Sequence, residues 1–223
     1  MKIKAFVSIL VAGLAAANCA SARDFGTSID LGTTGLGLHV TTPVAPKLNA
    51  RLGVNVANYS YDGSTSDVDY DFKLKLATVD ALLDYHPFDG SFRISGGVVY
   101  NGNKIEARAK PNAAGTYNIN GNVYSTAAVG DLNGKIDFRK AAPYLGIGFG
   151  NAAKGSGWGF GMDLGVTFQG SPKTALASSG CTVSADMCAQ LGRDVAAENA
   201  KLADEVDDFK LYPVIRVGVS YQF

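Results

Sequence analysis

The last thirteen residues, Leu211 to Phe223, alternate without a break: Leu211, Pro213, Ile215, Val217, Val219, Tyr221 and Phe223 fall on one face, and Tyr212, Arg216, Ser220 and Gln222 on the other. Successive side chains of a strand point to opposite faces, so the segment has one apolar face and one mixed polar face. Such a strand, ending on an aromatic residue, reads as a wall strand of a transmembrane β-barrel, where lipid-facing and lumen-facing residues alternate. One strand needs partners, and the chain supplies them.

The clearest is Trp158 to Phe168, in which Trp158, Phe160, Met162, Leu164, Val166 and Phe168 share a face opposite Gly159, Gly161, Asp163, Gly165 and Thr167. A soluble sandwich turns its large side chains inward, and glycines there would starve its core. Small inner residues instead suit a narrow barrel whose interior is only wide enough for side chains. Leu48 to Val56, Asp67 to Tyr85, Ser91 to Ala109 and Gly134 to Asn151 follow the same plan, with phase slips, as near Thr78, that read as bulges. In Asp24 to Pro43, Ile29 and Leu31 are apolar at odd positions and Leu36, Leu38 and Val40 at even ones. A hairpin closing at Leu31 and Leu36 pairs Ile29 with Leu38 and keeps every apolar side chain on one face. The expected fold is all-β: an eight-stranded antiparallel transmembrane barrel. A seven-strand reading stays open, because the first two strands are barely long enough to cross.

Short turns fall at Thr42 to Lys47, His86 to Gly90 and Asn151 to Gly157, and longer connections at Tyr61 to Ser66, Lys110 to Asn133 and Gln169 to Asp208. Short turns mark the periplasmic side of bacterial barrels, so both chain ends are expected there. Tyr117 to Tyr124 carries Asn120-Gly121, a hairpin signal. Ser184 to Phe209 spaces Leu191, Val195, Leu202, Val206 and Phe209 at helical intervals, so a helical insertion is expected over about 184–208, before the last strand. With seven acidic residues (Asp186, Asp194, Glu198, Asp204, Glu205, Asp207, Asp208) it is too polar to cross lipid. It is expected to cap the extracellular mouth, dock into it, or meet a partner.

Met1 to Ala22 has the plan of a secretory signal peptide: Lys2 and Lys4, an apolar run from Ala5 to Ala17, and Ala20-Ser21-Ala22 as cleavage site. The mature barrel domain would then be 23–223. An alternative makes Cys19 a lipidated cysteine, but Asn18 stands where a small residue is required. Cleavage leaves Cys181 and Cys188, an even pair that implies a disulfide in an exported protein. With only His39 and His86 in the chain, neither placed to join two thiolates, no metal or cofactor is expected. The mature chain carries 18 basic and 20 acidic residues and no basic run, which argues against nucleic-acid binding.

By strand parity Arg51, Asp69, Asp71, Lys73, Lys75, Asp80, Asp84, Arg93, Asp137, Arg139, Asp163 and Arg216 face the lumen. Both signs are interspersed, which suggests ion pairs bridging the interior, a plug that fixes register; the alternative is a narrow, gated conductance. For catalysis, Ser28, His39 and Asp30 could serve only if nucleophile, base and orienter converged. No oxyanion hole is marked, so no catalytic residue is assigned and a lumen His39 bonded to Ser28 is expected. His86, beside Pro87, is expected at the surface. Asp67 to Asp71 starts like a calcium loop, but Phe72 replaces the required glycine. Gly150 to Ser156 lacks the Gly-Lys-Ser/Thr order of a phosphate loop.

The signal-like leader, the alternating spans and the Tyr221-Gln222-Phe223 terminus together resemble the small proteobacterial outer-membrane barrels, the group with OmpA-like and OmpW-like membrane domains. Asp84 to Phe88, Gly170 to Lys173 and Asp208 to Pro213 look similar to pieces of members of that group. The resemblance implies a cell outer membrane location, with Tyr221 and Phe223 as the C-terminal signal read by the barrel-insertion machinery. It implies outer-membrane lipid around the wall and leaves room for an extracellular partner at the loops. The resemblance does not extend to the peptidoglycan-binding domain of full-length OmpA-type proteins, so a cell-wall tether is not expected. The expected function is a non-enzymatic structural or surface-interaction role; the alternatives are a narrow passive pore and, third, a lipid A-modifying enzyme.

Overall fold

The computed structural model describes residues 25–64 and 69–223. The leader expected over Met1 to Ala22, with Cys19, lies outside the described residues, as do Asp67 and Val68 at the start of one expected strand.

Eight strands close a ring by antiparallel pairing: β1 (Gly26–Gly32), β2 (Gly35–Ala45), β3 (Leu48–Ser64), β4 (Asp69–Tyr85), β5 (Phe92–Asn101), β10 (Ala141–Phe149), β11 (Gly157–Phe168) and β13 (Leu211–Gln222), which returns to β1. The first hairpin supplies two full members of the ring. Ile29 pairs with Leu38 and Leu31 with Leu36, and Gly26 meets Gln222 across the seam. Short turns and both ends of the barrel chain occupy one rim; the turn after β2 tightens to Pro46-Lys47, with Lys47 at φ 63. Phe25, Trp158, Tyr221 and Phe223 form an aromatic cluster on that rim, with Phe25 and Phe223 stacked at 4.8 Å.

Polarity is inverted relative to a soluble protein. Ile29, Leu31, Leu52, Leu83, Leu145, Phe160, Leu164, Ile215 and Val217 point out and are exposed, while Asn55, Asp80, Asp84, Arg51, Asp163 and Arg216 point in and are buried.

At the other rim the wall continues beyond the ring. The outer half of β4 leaves β5 and pairs with β6 (Lys104–Lys110), which pairs with β9 (Leu132–Asp137), which pairs with β12 (Lys173–Ser178). At this branch Gly102 donates its N–H to the Ala77 carbonyl at 2.8 Å, and a Cβ on Gly102 would lie 2.7 Å from that oxygen. The Asn103 side chain accepts the Ala77 N–H at 2.9 Å in place of a ladder partner. A hairpin of β7 (Thr116–Ile119) and β8 (Asn122–Ser125), a one-turn helix α1 (Thr126–Val129) and a long helix α2 (Ala185–Val206) complete the rim. The hairpin turns on Asn120-Gly121, both at positive φ, as a two-residue I′ turn requires.

The phase change near Thr78 is not a bulge, because β3 and β4 stay in register from Leu48 opposite Tyr85 to Ser64 opposite Asp69. What changes is the surroundings of the inner face. Asp84, Asp80 and Thr78 face a polar lumen, whereas further along the same face Phe72 packs on an apolar core of Ala109, Tyr117, Ile119, Tyr124, Val129, Leu132, Leu191 and Val195. That core lies between the extended sheet, the hairpin and α2. Leu191 and Val195 are the buried part of the helical stripe, while Phe209 is exposed.

Candidate functional site

The lumen is filled by two ionic clusters and an apolar layer. In the first cluster, toward the short-turn rim, Arg51 sits between two carboxylates: Nε is 2.9 Å from Asp84 and Nη1 2.8 Å from Asp163. Its Nη2 donates to both carboxylates at 3.1 Å. Arg93 donates from Nη2 to Asp163 at 2.9 Å and from Nη1 to the carbonyl of Phe149 at 3.0 Å. Ser95 donates to Asp84 at 2.5 Å. Two guanidiniums and two carboxylates balance, and bidentate geometry of this kind offsets the desolvation of buried charge.

The second cluster centres on His39. Its Nδ1 is 2.6 Å from Asp30, and its Nε2 is 3.2 Å from Asp80 and 3.0 Å from Arg216 Nη1. Arg216 reaches Asp80 at 2.8 Å, and Asn55 donates to Asp80 and to Thr78 at 3.0 Å. Register explains the arrangement: His39 lies opposite Ser28 on β1 and Gly53 on β3, and a Cβ on Gly53 would collide with the imidazole. The ring therefore passes over the glycine to Asp80 on the next strand. His39 meets carboxylates at both nitrogens, not the Ser28 expected as its partner, so a Ser-His-Asp relay is not assembled. Leu82, Val99, Tyr144 and Val214 form the apolar layer, with Tyr212 against it.

A cavity of about 420 Å³ at the short-turn rim is lined by Asp89, Ser91, Lys154, Gly159 and Ser220 among others; two smaller ones lie in the lumen. One of about 40 Å³ is lined by Ser28, Asn49, Arg93, Asn151 and Arg216 among others. The other, about 10 Å³, is lined by Thr78, Asn101, Thr167, Gln169 and Arg216 among others. A water needs about 10–15 Å³.

Of the residues expected to face the lumen, Arg51, Asp80, Asp84, Arg93, Asp163 and Arg216 come together there, each buried. Asp71, Lys73, Lys75, Asp137 and Arg139 do not. Asp71, Lys73, Lys75 and Asp137 lie on the outer face of the extended sheet, where Lys75 pairs with Glu106, Asp71 with Lys110, and Asp137 with Lys135. Arg139, between β9 and β10, is exposed. On β4 the unbroken register leaves no slip to turn Asp71, Lys73 and Lys75 inward; on β9 the inward side belongs to Leu132 and Ile136, both buried, and Arg139 lies beyond the end of that strand. For Asp69 only the backbone pairing with Ser64 and Lys110 is described. His86, expected at the surface, is buried in its turn, where its ring meets the Gly90 carbonyl at 3.1 Å and Asn49 at 3.2 Å. Tyr144 was missed; its inward parity and the glycines Gly146 and Gly165 beside it were the available signal.

The outer rim has its own polar hub. Asp194 on α2 is buried and accepts from Tyr124 at 2.5 Å, Asn122 at 2.9 Å, Gln190 at 3.1 Å and Asn120 at 3.2 Å. These donors, the Tyr124 hydroxyl foremost, hold its carboxyl down at about 2, while burial and then Asp194 push the Tyr124 phenol up to about 12. Cys181 and Cys188 are joined by a disulfide at the start of α2. Among the described residues no group of three or more His, Cys, Asp or Glu could hold a metal.

Ring closure, inverted polarity and a packed interior define a class: closed eight-stranded antiparallel β-barrels with a helix inserted before the last strand. Within that class the chain is similar to the crystal structures of Acinetobacter baumannii CarO and CarO2. Each is 24% identical with a TM-score of 0.56, and the match covers 92% of this chain and 100% of the other. No family model matches the chain. No curated protein matches its sequence.

Proposed function

We propose that this chain is an integral protein of the bacterial outer membrane, with a sealed lumen and its working surface on the rim built from the long connections. The apolar outer wall supports the membrane reading: open sheet edges and polar walls cannot be satisfied in lipid, and a closed barrel has neither. The observation that carries the sealed reading is the lumen itself, whose buried arginines meet carboxylates within hydrogen-bonding range and whose inner cavities measure about 40 and about 10 Å³. The role is then structural or surface-interacting and non-catalytic, in keeping with a resemblance to OmpA-like and OmpW-like barrels. Orientation follows the loop rule, with the extended sheet and α2 outside the cell. Tyr221 and Phe223 serve as the insertion signal.

A narrow passive pore is the second reading, and one observation favours it: Arg216 lines both lumen cavities. Purified protein tested for heat-modifiable electrophoretic mobility and for single-channel conductance separates the two. A heat shift without conductance supports the sealed barrel. Stepwise conductance, raised further by Arg216→Ala, makes the pore primary. Lipid modification comes third, and an unchanged lipid A mass spectrum on expression of the protein counts against it.

A further inference from the structure

On the outer face of the extended sheet, register stacks charged residues into rows. Lys75 lies opposite Lys104, Lys104 opposite Asp137, and Asp137 opposite Lys173. In the next row outward Lys73 lies opposite Glu106, and Glu106 opposite Lys135. These two rows carry five lysines against two carboxylates. The row beyond them reverses the balance, with Asp62 opposite Asp71 and Asp71 opposite Arg108. The positive charge is thus a stripe, confined to the rows nearest the ring.

Its height is set by β4. From Tyr85, at the short-turn rim, ten residues lead to Lys75 on the same outer face. At about 3.3 Å per residue and a tilt of about 40° that is roughly 25 Å, the height of the apolar band of an outer-membrane barrel. The stripe therefore meets the headgroups of the outer leaflet. Glu106 accepts from Lys104 at 2.8 Å and from Lys75 at 2.5 Å, which holds its carboxyl down at about 2. Lys73 and Lys173 are exposed, and among the described residues neither has a carboxylate within ion-pairing distance.

We propose that this lysine stripe is a docking surface for the phosphate groups of the glycolipid that surrounds the barrel. Like charges placed side by side across a sheet repel, and Lys75 beside Lys104 needs an anion on the open face beyond the single Glu106. Lipid phosphates at that height supply it. The inference rests on the membrane reading above.

The test uses the folded full-length mature chain in detergent micelles, with lipopolysaccharide or the same material enzymatically dephosphorylated. The readout is fatty acid co-eluting with the protein. Each lysine near an anionic surface contributes about fivefold in binding. Phosphorylated material should be retained at least tenfold better than dephosphorylated. Combined Lys73→Ser, Lys75→Ser, Lys104→Ser and Lys173→Ser substitution should remove at least tenfold of that retention, whereas the four Lys→Arg replacements should preserve it. A serine variant that has lost its heat-modifiable mobility is replaced by Lys173→Ser alone, at the free end strand, with a severalfold loss expected. Equal retention of both materials, or a folded serine variant that retains as much as the parent, overturns the proposal. So does loss of retention in 10 mM inorganic phosphate, which would mark a site for the free ion. Failure of the parent to float with lipid vesicles would sink the membrane reading itself, and is scored separately from retention.

Discussion

The phenol of Tyr144 lies across Gly165 on the neighbouring strand, so that a Cβ at Gly165 would fall within 2.6 Å of the ring carbon Cζ. In a lumen this narrow a large side chain on one strand requires a bare backbone on the next. Gly165→Ala should therefore lower stability by about 1–3 kcal/mol through overpacking. Tyr144→Leu in the same chain should recover most of it. Urea unfolding in detergent, followed by heat-modifiable mobility, gives both numbers, and additive losses would show that the two positions are uncoupled.

The Tyr144 hydroxyl is buried without a hydrogen-bond partner among the described residues. Tyr144→Phe should be neutral or stabilising by about 1 kcal/mol, because an unpaired buried hydroxyl is removed while the ring remains. A clear loss in the same assay would reveal a partner, such as an ordered water, that depends on the hydroxyl.

Asp163 answers two guanidiniums at once, Arg51 and Arg93. Asp163→Ala leaves both buried with one carboxylate fewer and should lower stability by about 3–5 kcal/mol. If the urea midpoint stays put while conductance appears, the cluster is a gate and not a brace.

At the outer rim, Asp194 has its pKa lowered to about 2, below the ordinary aspartate value near 4. A carboxyl depressed in the folded state stabilises fully above the unfolded value and loses that contribution as pH falls through the folded one. The α2–hairpin contact should therefore hold from neutral pH to about pH 4 and weaken toward pH 2. Asp194→Asn should loosen it already at pH 7. Hydrogen exchange of the α2 amides, with the ring strands as internal reference, reads both effects.

The disulfide closes a short loop, with a sequence separation of 7. By loop entropy its removal should cost roughly 2–3 kcal/mol, felt in the rim alone. Paired Cys181→Ser and Cys188→Ser substitution should speed proteolysis before α2 and leave the heat-modifiable mobility of the barrel unchanged. A shift in that mobility would tie the loop to the ring.

Much of the ring was legible because lipid imposes a strict period of two on every wall strand. The pairing of Ile29 with Leu38 follows from parity alone. Parity failed at Phe72, which is apolar on the lumen's own face. An apolar residue pointing inward looks in sequence like a slipped strand, and only the core contributed by β7, β8 and α2 tells the two apart. Asp194 escaped notice for the converse reason. It stands among four other acidic residues on a polar helix, Asp186, Glu198, Asp204 and Glu205, yet its neighbours Leu191 and Val195 placed it on the packed stripe. The partner of His39 was illegible locally, since the ring crosses Gly53 to a residue 41 positions away.

The branch at Ala77 divides the molecule by what answers to what. Apart from the β3–β4 ladder, which runs through it, every pairing of the ring, from β1 round to β13, lies on one side of it, and the outer halves of β3 and β4 with β6, β9, β12 and α2 lie on the other. Among the described residues, the only ring strands paired beyond the branch are β3 and β4, whose ladder continues into the outer structure. The outer structure could therefore be exchanged for another without redesigning the wall, leaving one half of the chain bound to the demands of the bilayer and the other free to follow its surroundings.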